Sequence, residues 1–285
     1  MKGIDKKEID GYLAEKKFIG INGSPRSEKV IVSLTSYDKR IHDVKYTIYS
    51  LLNQSFPPDK LILWLDEESF PQREKSSLPS DLLELKNFGL TIEWCENLRS
   101  YKKLIPALKI YPDDVIVTAD DDIFYHYDWL KILYDEHLRT PDSVIAHRAH
   151  LLNLDEQGNI APYKTFQKET KSQMIRGKGS YKNFFTGAGG ILYMKKFFHG
   201  DIMNRELFME LAPLADDIWF WSMAVLNGTK IKIPSAAQRS LTYVDIKMQQ
   251  SGETLYSQNI TQNDVQLKKV VEHYPALLEK LRAEE

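Results

Sequence analysis

One cysteine, Cys95, in 285 residues rules out an intrachain disulfide, which fits a reducing compartment. Inside "TIEWC" it reads as a small buried hydrophobe, not a nucleophile. No stretch approaches the roughly 20 apolar residues of a membrane span. The opening segment, "MKGIDKKEIDGYLAEKKF", lacks an apolar core of signal-peptide length. These absences lead us to expect a cytoplasmic protein, with peripheral contact at the inner membrane face left open. A dominant charge is also missing. Lys and Arg number 38 against 40 Asp and Glu, a net charge of -2, so no global field draws nucleic acid or anionic lipid. No nucleic-acid-binding motif is present, and there is no internal repeat or low-complexity tract.

Apolar residues make up 42% of the chain, enough for a substantial core. "VIVSLTS" (30–36), "LILWL" (61–65), "LTIEWC" (90–95), "DVIVTAD" (114–120) and "SVIAHR" (143–148) read as buried strands. Helical patterns alternate with them. Asp43 is placed to cap a helix running to about Gln54, with Val44, Ile48, Leu51 and Leu52 as its apolar face. "YKKLIPALKIY" (101–111) must hold Pro106 early or kink. A third helix buries Trp129, Leu130, Leu133, Tyr134 and Leu138. The alternation predicts an α/β protein with a mainly parallel sheet and helices on both faces. Beyond it, "RGKGSYKN" reads as a flexible loop, "FFTGAGGILYM" as glycines joined to a strand, and "TKIKIP" as a strand. Residues 213–228 read as a capped helix ending at Gly228, and 263–274 as an amphipathic helix stopped by Pro275.

Ligands of such sheets bind at the carboxyl ends of the strands, and there stand Asp120, Asp121 and Asp122. Three adjacent carboxylates repel one another and are costly to desolvate. The plain reading is a turn in which one aspartate caps a helix and the others face water. The chemical reading is a hard-cation site for Mg²⁺ or Mn²⁺, with Asp120 and Asp122 on one side of an extended turn. Asp216 and Asp217 open a helix, where acids also serve as simple caps. Gly187, Gly189 and Gly190 permit either a bulge or close approach to a ligand. Arg40, Arg99, Lys102 and Lys103 follow strand ends, although most surface cations are simply solvated. His126, His147 and His150 lack paired metal-ligand spacing and read as structural.

"TADDDIFY" resembles the D-x-D motif of nucleotide-sugar-dependent glycosyltransferases of the GT-A fold. "IVSLTSYDKR", then "SLLNQSFPPDKLILWL", resembles the opening of the family 2-like enzymes. "LRSYKKLIPAL" resembles their segment that contacts base and ribose, and the likeness spans about residues 29–235. It is strongest to enzymes of capsule polysaccharide, lipopolysaccharide or other surface-glycan biosynthesis. The resemblance implies a GT-A type, Rossmann-like sheet with a smaller acceptor-side part. Residues 1–28 would form a helix and linker, and 29–240 the catalytic domain. Within that domain 29–125 would bind nucleotide and 126–240 the acceptor, leaving 241–285 as a tail and helix.

By that resemblance Asp122, with Asp120, would hold Mn²⁺ or Mg²⁺. Thr35, Ser36, Arg40, Arg99, Lys103, Asp120 and Asp121 would bind nucleotide. Asp217 would be the catalytic base, ionised at neutral pH, and Asp216 would bind acceptor hydroxyls or support the loop. Gly187, Gly189, Gly190 and Trp219 would line the donor sugar and acceptor, and a histidine could complete the metal site. The implied partners are a nucleoside diphosphate sugar, a UDP-sugar being favoured, and a glycan or lipid-linked oligosaccharide acceptor. Transfer would invert by single displacement, with retention the main variant. A nucleotidyltransferase fits less well, because no Gly-rich loop follows the first strand. A non-catalytic glycan-binding scaffold is the remaining alternative.

Overall fold

The computed structural model describes residues 2–71, 78–168, 176–238, 240–247 and 255–284, of which 255–261 by backbone alone. The expected β-branched and leucine-rich runs form strands β1 (Val30–Thr35), β2 (Lys60–Asp66), β3 (Leu90–Cys95) and β4 (Val115–Ala119). All are parallel, in the spatial order β3-β2-β1-β4. The strand order reverses between β1 and β4, which opens a crevice at their carboxyl ends. Thr35 and Asp120 flank it.

The sheet then departs from the expected pattern. Val144–Ala146 (β5), Gly179–Ser180 (β6), Ile191–Tyr193 (β7) and Ile231–Lys232 (β8) extend it to eight strands, in the order β3-β2-β1-β4-β7-β5-β8-β6. Here β7 runs antiparallel to both β4 and β5. The expected strand 143–148 is therefore short. The chain turns after it and enters a separate antiparallel sheet of Ala149–Leu151, Gln167–Lys168 and Asn183–Phe185.

Helix α1 spans Lys6–Ala14, and α2 (Val44–Leu52) joins β1 to β2. The predicted α2 face of Val44, Ile48, Leu51 and Leu52 is fully buried. Asp43 occupies the N-cap position without capping; its carboxylate takes the Lys6 ammonium at 2.8 Å. In α3 (Ile105–Ile110), Pro106 lies in the first turn, where its missing N–H costs nothing. On α4 (Trp129–Arg139), Leu138 is 62% exposed, while Glu136 and His137 are buried in its place. Helix α5 (Asp216–Leu226) ends as expected before Gly228, whose φ of 81° suits glycine.

The terminal helix is longer than its periodicity predicted. It runs Leu255–His273 (α6), and a further helix, Ala276–Ala283 (α7), follows Pro275. Leu267, Val270, Leu277 and Leu281 belong to the same buried cluster as the sheet. Lys2–Gly3 pairs with Thr242–Tyr243. Among the described residues no helix is long and apolar enough to cross a membrane.

Candidate active site

Two cations answer the charge of the aspartate triplet. Asp121 turns inward: its carboxylate accepts from Ser36 Oγ at 2.6 Å and from Arg40 Nη1 at 2.7 Å. Its carbonyl accepts from Thr47 Oγ1 at 2.9 Å. Asp122 Oδ2 lies 3.0 Å from the same Arg40 nitrogen. Asp120 instead accepts from Lys103 Nζ at 2.9 Å. The alternation expected to put Asp120 and Asp122 on one side thus does not carry past Asp120, and the two carboxylates rest on different cations. The backbone turns at Asp121–Asp122, so strand alternation stops at Asp120. Burial opposes the charge on Arg40, but Asp121 and Asp122 outweigh it and raise its pKa.

Lys103 joins this triplet to the second acidic motif. The segment Arg99–Lys103 is a 3₁₀ turn held by Ser33 Oγ on the Lys103 carbonyl at 2.6 Å. It is also held by Tyr101 Oη on the Ala212 carbonyl at 2.7 Å. The Lys103 ammonium is buried, 3.1 Å from Asp216 Oδ2. Burial would lower its pKa, yet Asp120, Asp216 and Asp217 hold it well above the usual value. Lys103 thus acts through these carboxylates, not as an exposed phosphate contact.

Asp217 accepts from the Gly187 N–H at 3.0 Å. Burial, then the adjacent Asp216, push its carboxyl up to about 7, against the pull of Lys103 and the Gly187 N–H. The expectation of a carboxylate fully ionised at neutral pH is corrected accordingly. Asp217 Oδ1 is buried and lacks a hydrogen-bond donor.

The glycines divide their work. A Cβ at Gly187 would lie 2.8 Å from Lys103 Nζ and 3.0 Å from Asp217 Oδ1. Gly189 meets the Arg148 stem, and its carbonyl accepts from Trp129 Nε1 at 2.7 Å. Gly190, at φ 90°, leaves only 2.3 Å between a built Cβ and the Trp129 ring. Gly190→Ala is expected to cost about 3 kcal/mol, from positive-φ strain plus overpacking. Urea denaturation would measure this, and a loss under about 1 kcal/mol would show that the Trp129 contact yields.

Other expected residues fall away from the cluster. Trp219 is fully buried with its indole on the Ile202 carbonyl, so it offers no face to a sugar. Arg99, at φ 56°, points to the Pro213 carbonyl at 3.2 Å. Thr35 Oγ1 bonds the Trp64 carbonyl at 2.9 Å, joining β1 to β2. Lys102 is buried against Asp66. Burial works against the Asp66 charge, but Lys102 and Ser69 lower its pKa. Asp66 was missed, although an acid ending an apolar strand is the same signal that marked Asp120. His147 is satisfied by the Trp129 carbonyl and the Gln238 N–H. Burial raises the Cys95 thiol to about 11, as befits an unreactive residue.

Among the described residues, no group of three or more His, Cys, Asp or Glu is placed to hold a metal. Mg²⁺ needs only one or two carboxylates when substrate phosphates complete its shell. The donor chemistry fits such an ion. Five aspartates share the Arg40 and Lys103 cations, which leaves an excess of carboxylate charge for a cation to meet. Asp120 and Asp122 would hold it.

No protein-family model matches this chain, and no curated protein matches it. Among solved structures it is similar to that of S. aureus TarS 1-349 in complex with UDP. Identity is 16% over 75% of this chain and 59% of that chain, with a TM-score of 0.47. It is also similar to S. aureus TarS, at 14% identity over 75% of this chain and 36% of that chain, with a TM-score of 0.45. The chain thus spans 59% of the first and 36% of the second.

Proposed function

We propose that the protein is a metal-dependent glycosyltransferase. It moves a sugar from a nucleoside diphosphate sugar, UDP-linked for preference, to a glycan or lipid-linked glycan acceptor, with inversion. One observation supports this above others. Asp120 and the Asp216–Asp217 pair, distant in sequence, share the buried Lys103 ammonium beside the sheet's switch-point crevice. A fold alone has no need of so many carboxylates around one lysine.

Asp217 takes the proton of an acceptor hydroxyl as that oxygen bonds to the anomeric carbon. The bond from that carbon to the diphosphate breaks on the opposite face, and the nucleoside diphosphate departs with the electron pair. The Gly187 N–H fixes the Asp217 carboxylate, and the charge of Asp216 raises its proton affinity. Arg40 and Ser36 fix Asp121 and so set the crevice floor. A divalent ion held by Asp122 and Asp120 would supply positive charge to the departing diphosphate.

Calorimetric titration of UDP, GDP and CDP, with and without Mn²⁺, tests the donor site. UDP is expected to bind at least about tenfold more weakly without Mn²⁺, and likewise to Asp122→Ala. No binding of any nucleotide in the presence of metal would sink the donor-site reading and favour the scaffold.

A further inference from the structure

Residues 148–196 contain nine Lys and Arg against three Asp and Glu, inside a chain of net charge -2. Part of this excess gathers next to the acid pair. The turn Gly187–Gly189 meets Asp217 at one end through the Gly187 N–H. At its other end Arg148 lies along Gly189, where a built Cβ would sit 2.8 Å from Arg148 Cγ. Two residues on, His150 pairs in register with Lys168. Arg148 stands two residues before His150, at the start of that strand, where its carbonyl accepts from the Thr186 N–H at 3.1 Å, so strand register sets Arg148 and Lys168 on either side of His150. His150 Nδ1 is buried without a hydrogen-bond partner.

Asp155 accepts from the backbone of its own loop, and Glu284 from Ser180, Tyr181 and Lys182. Among the described residues no carboxylate pairs with Arg148 or Lys168. The Arg148 stem covers Gly189 and leaves its planar fork for a partner.

The geometry points to an anion subsite: Arg148 and Lys168 receive a phosphate or carboxylate carried by the acceptor glycan, beside the hydroxyl that Asp217 deprotonates. This rests on the transferase reading above. The acids of the donor side would repel an anionic acceptor; a basic rim next to them attracts and orients it. A glycan chain is narrow enough to meet this rim alone. A flat anionic bilayer would face the carboxylates as well.

Calorimetry on the full chain would compare neutral maltotetraose, tetragalacturonate and a phosphorylated maltotetraose at about 50 and 200 mM NaCl. The charged probes are expected to bind about tenfold tighter at low salt, and the better one identifies carboxylate or phosphate. The double variant R148Q/K168Q should abolish that preference while UDP–Mn²⁺ binding stays within about twofold. Equal binding of neutral and charged probes, or a preference that survives in the variant, would overturn the subsite. Capture by phosphatidylglycerol vesicles that the variant abolishes would overturn the glycan assignment. Loss of UDP binding in the wild type, with the charge preference intact, would defeat the donor reading and leave the subsite standing.

Discussion

Asp217→Asn is expected to lower sugar transfer about 10³-fold while leaving UDP–Mn²⁺ affinity nearly unchanged, because general-base catalysis contributes about 10²–10⁴-fold. The amide can still meet the Gly187 N–H through its oxygen, so the local fold survives. The pH dependence sharpens the test. Burial and Asp216 hold the Asp217 proton up to about 7, and only the ionised form accepts a proton. Wild-type activity should therefore rise with pH and level off above about 7, and the variant's residual rate should lose that inflection. Stability runs the other way. A carboxyl whose folded pKa is raised favours the folded state fully below its unfolded pKa, and that support disappears as pH rises through about 7. The melting temperature of Asp217→Asn, relative to wild type, should therefore increase between pH 5 and pH 8.5. A variant with full transfer activity would remove Asp217 from the mechanism.

Lys103→Met is the second large effect, expected chiefly on stability. The ammonium is buried among Asp120, Asp216 and Asp217. Removing it strands carboxylates in a poorly hydrated place, a change that costs about 3–5 kcal/mol. Urea denaturation at pH 7 measures the loss. Adding Asp120→Asn should restore a substantial part, since the second change removes one stranded charge; the double-mutant cycle isolates their coupling. Additive losses would show that Lys103 stabilises by packing its stem, not by its charge.

Much of the fold was legible because its signals are local. The apolar runs at 30–36, 61–65, 90–95 and 114–120 became the four parallel strands, and the α2 apolar face was read residue by residue. The antiparallel insertion of Ile191–Tyr193 between β4 and β5 was not legible. A strand's pattern records its burial, not the direction of its neighbours. The exposure of Leu138 and the burial of His137 fail for a related reason: periodicity gives the helix face only to within a residue or so.

The site divides in the same way. Sequence alone determined where carboxylates cluster, at 120–122 and 216–217, and that glycines lie at 187, 189 and 190. Residue type and strand ends suffice for that. Only the tertiary structure decided that Asp120 pairs with Lys103 while Asp121 and Asp122 pair with Arg40, and that Trp219 is core. The elevated proton affinity of Asp217 was likewise a tertiary matter. A charge's energy depends on burial and on every charge within a few ångströms, and those neighbours come from segments up to about a hundred residues away in the chain.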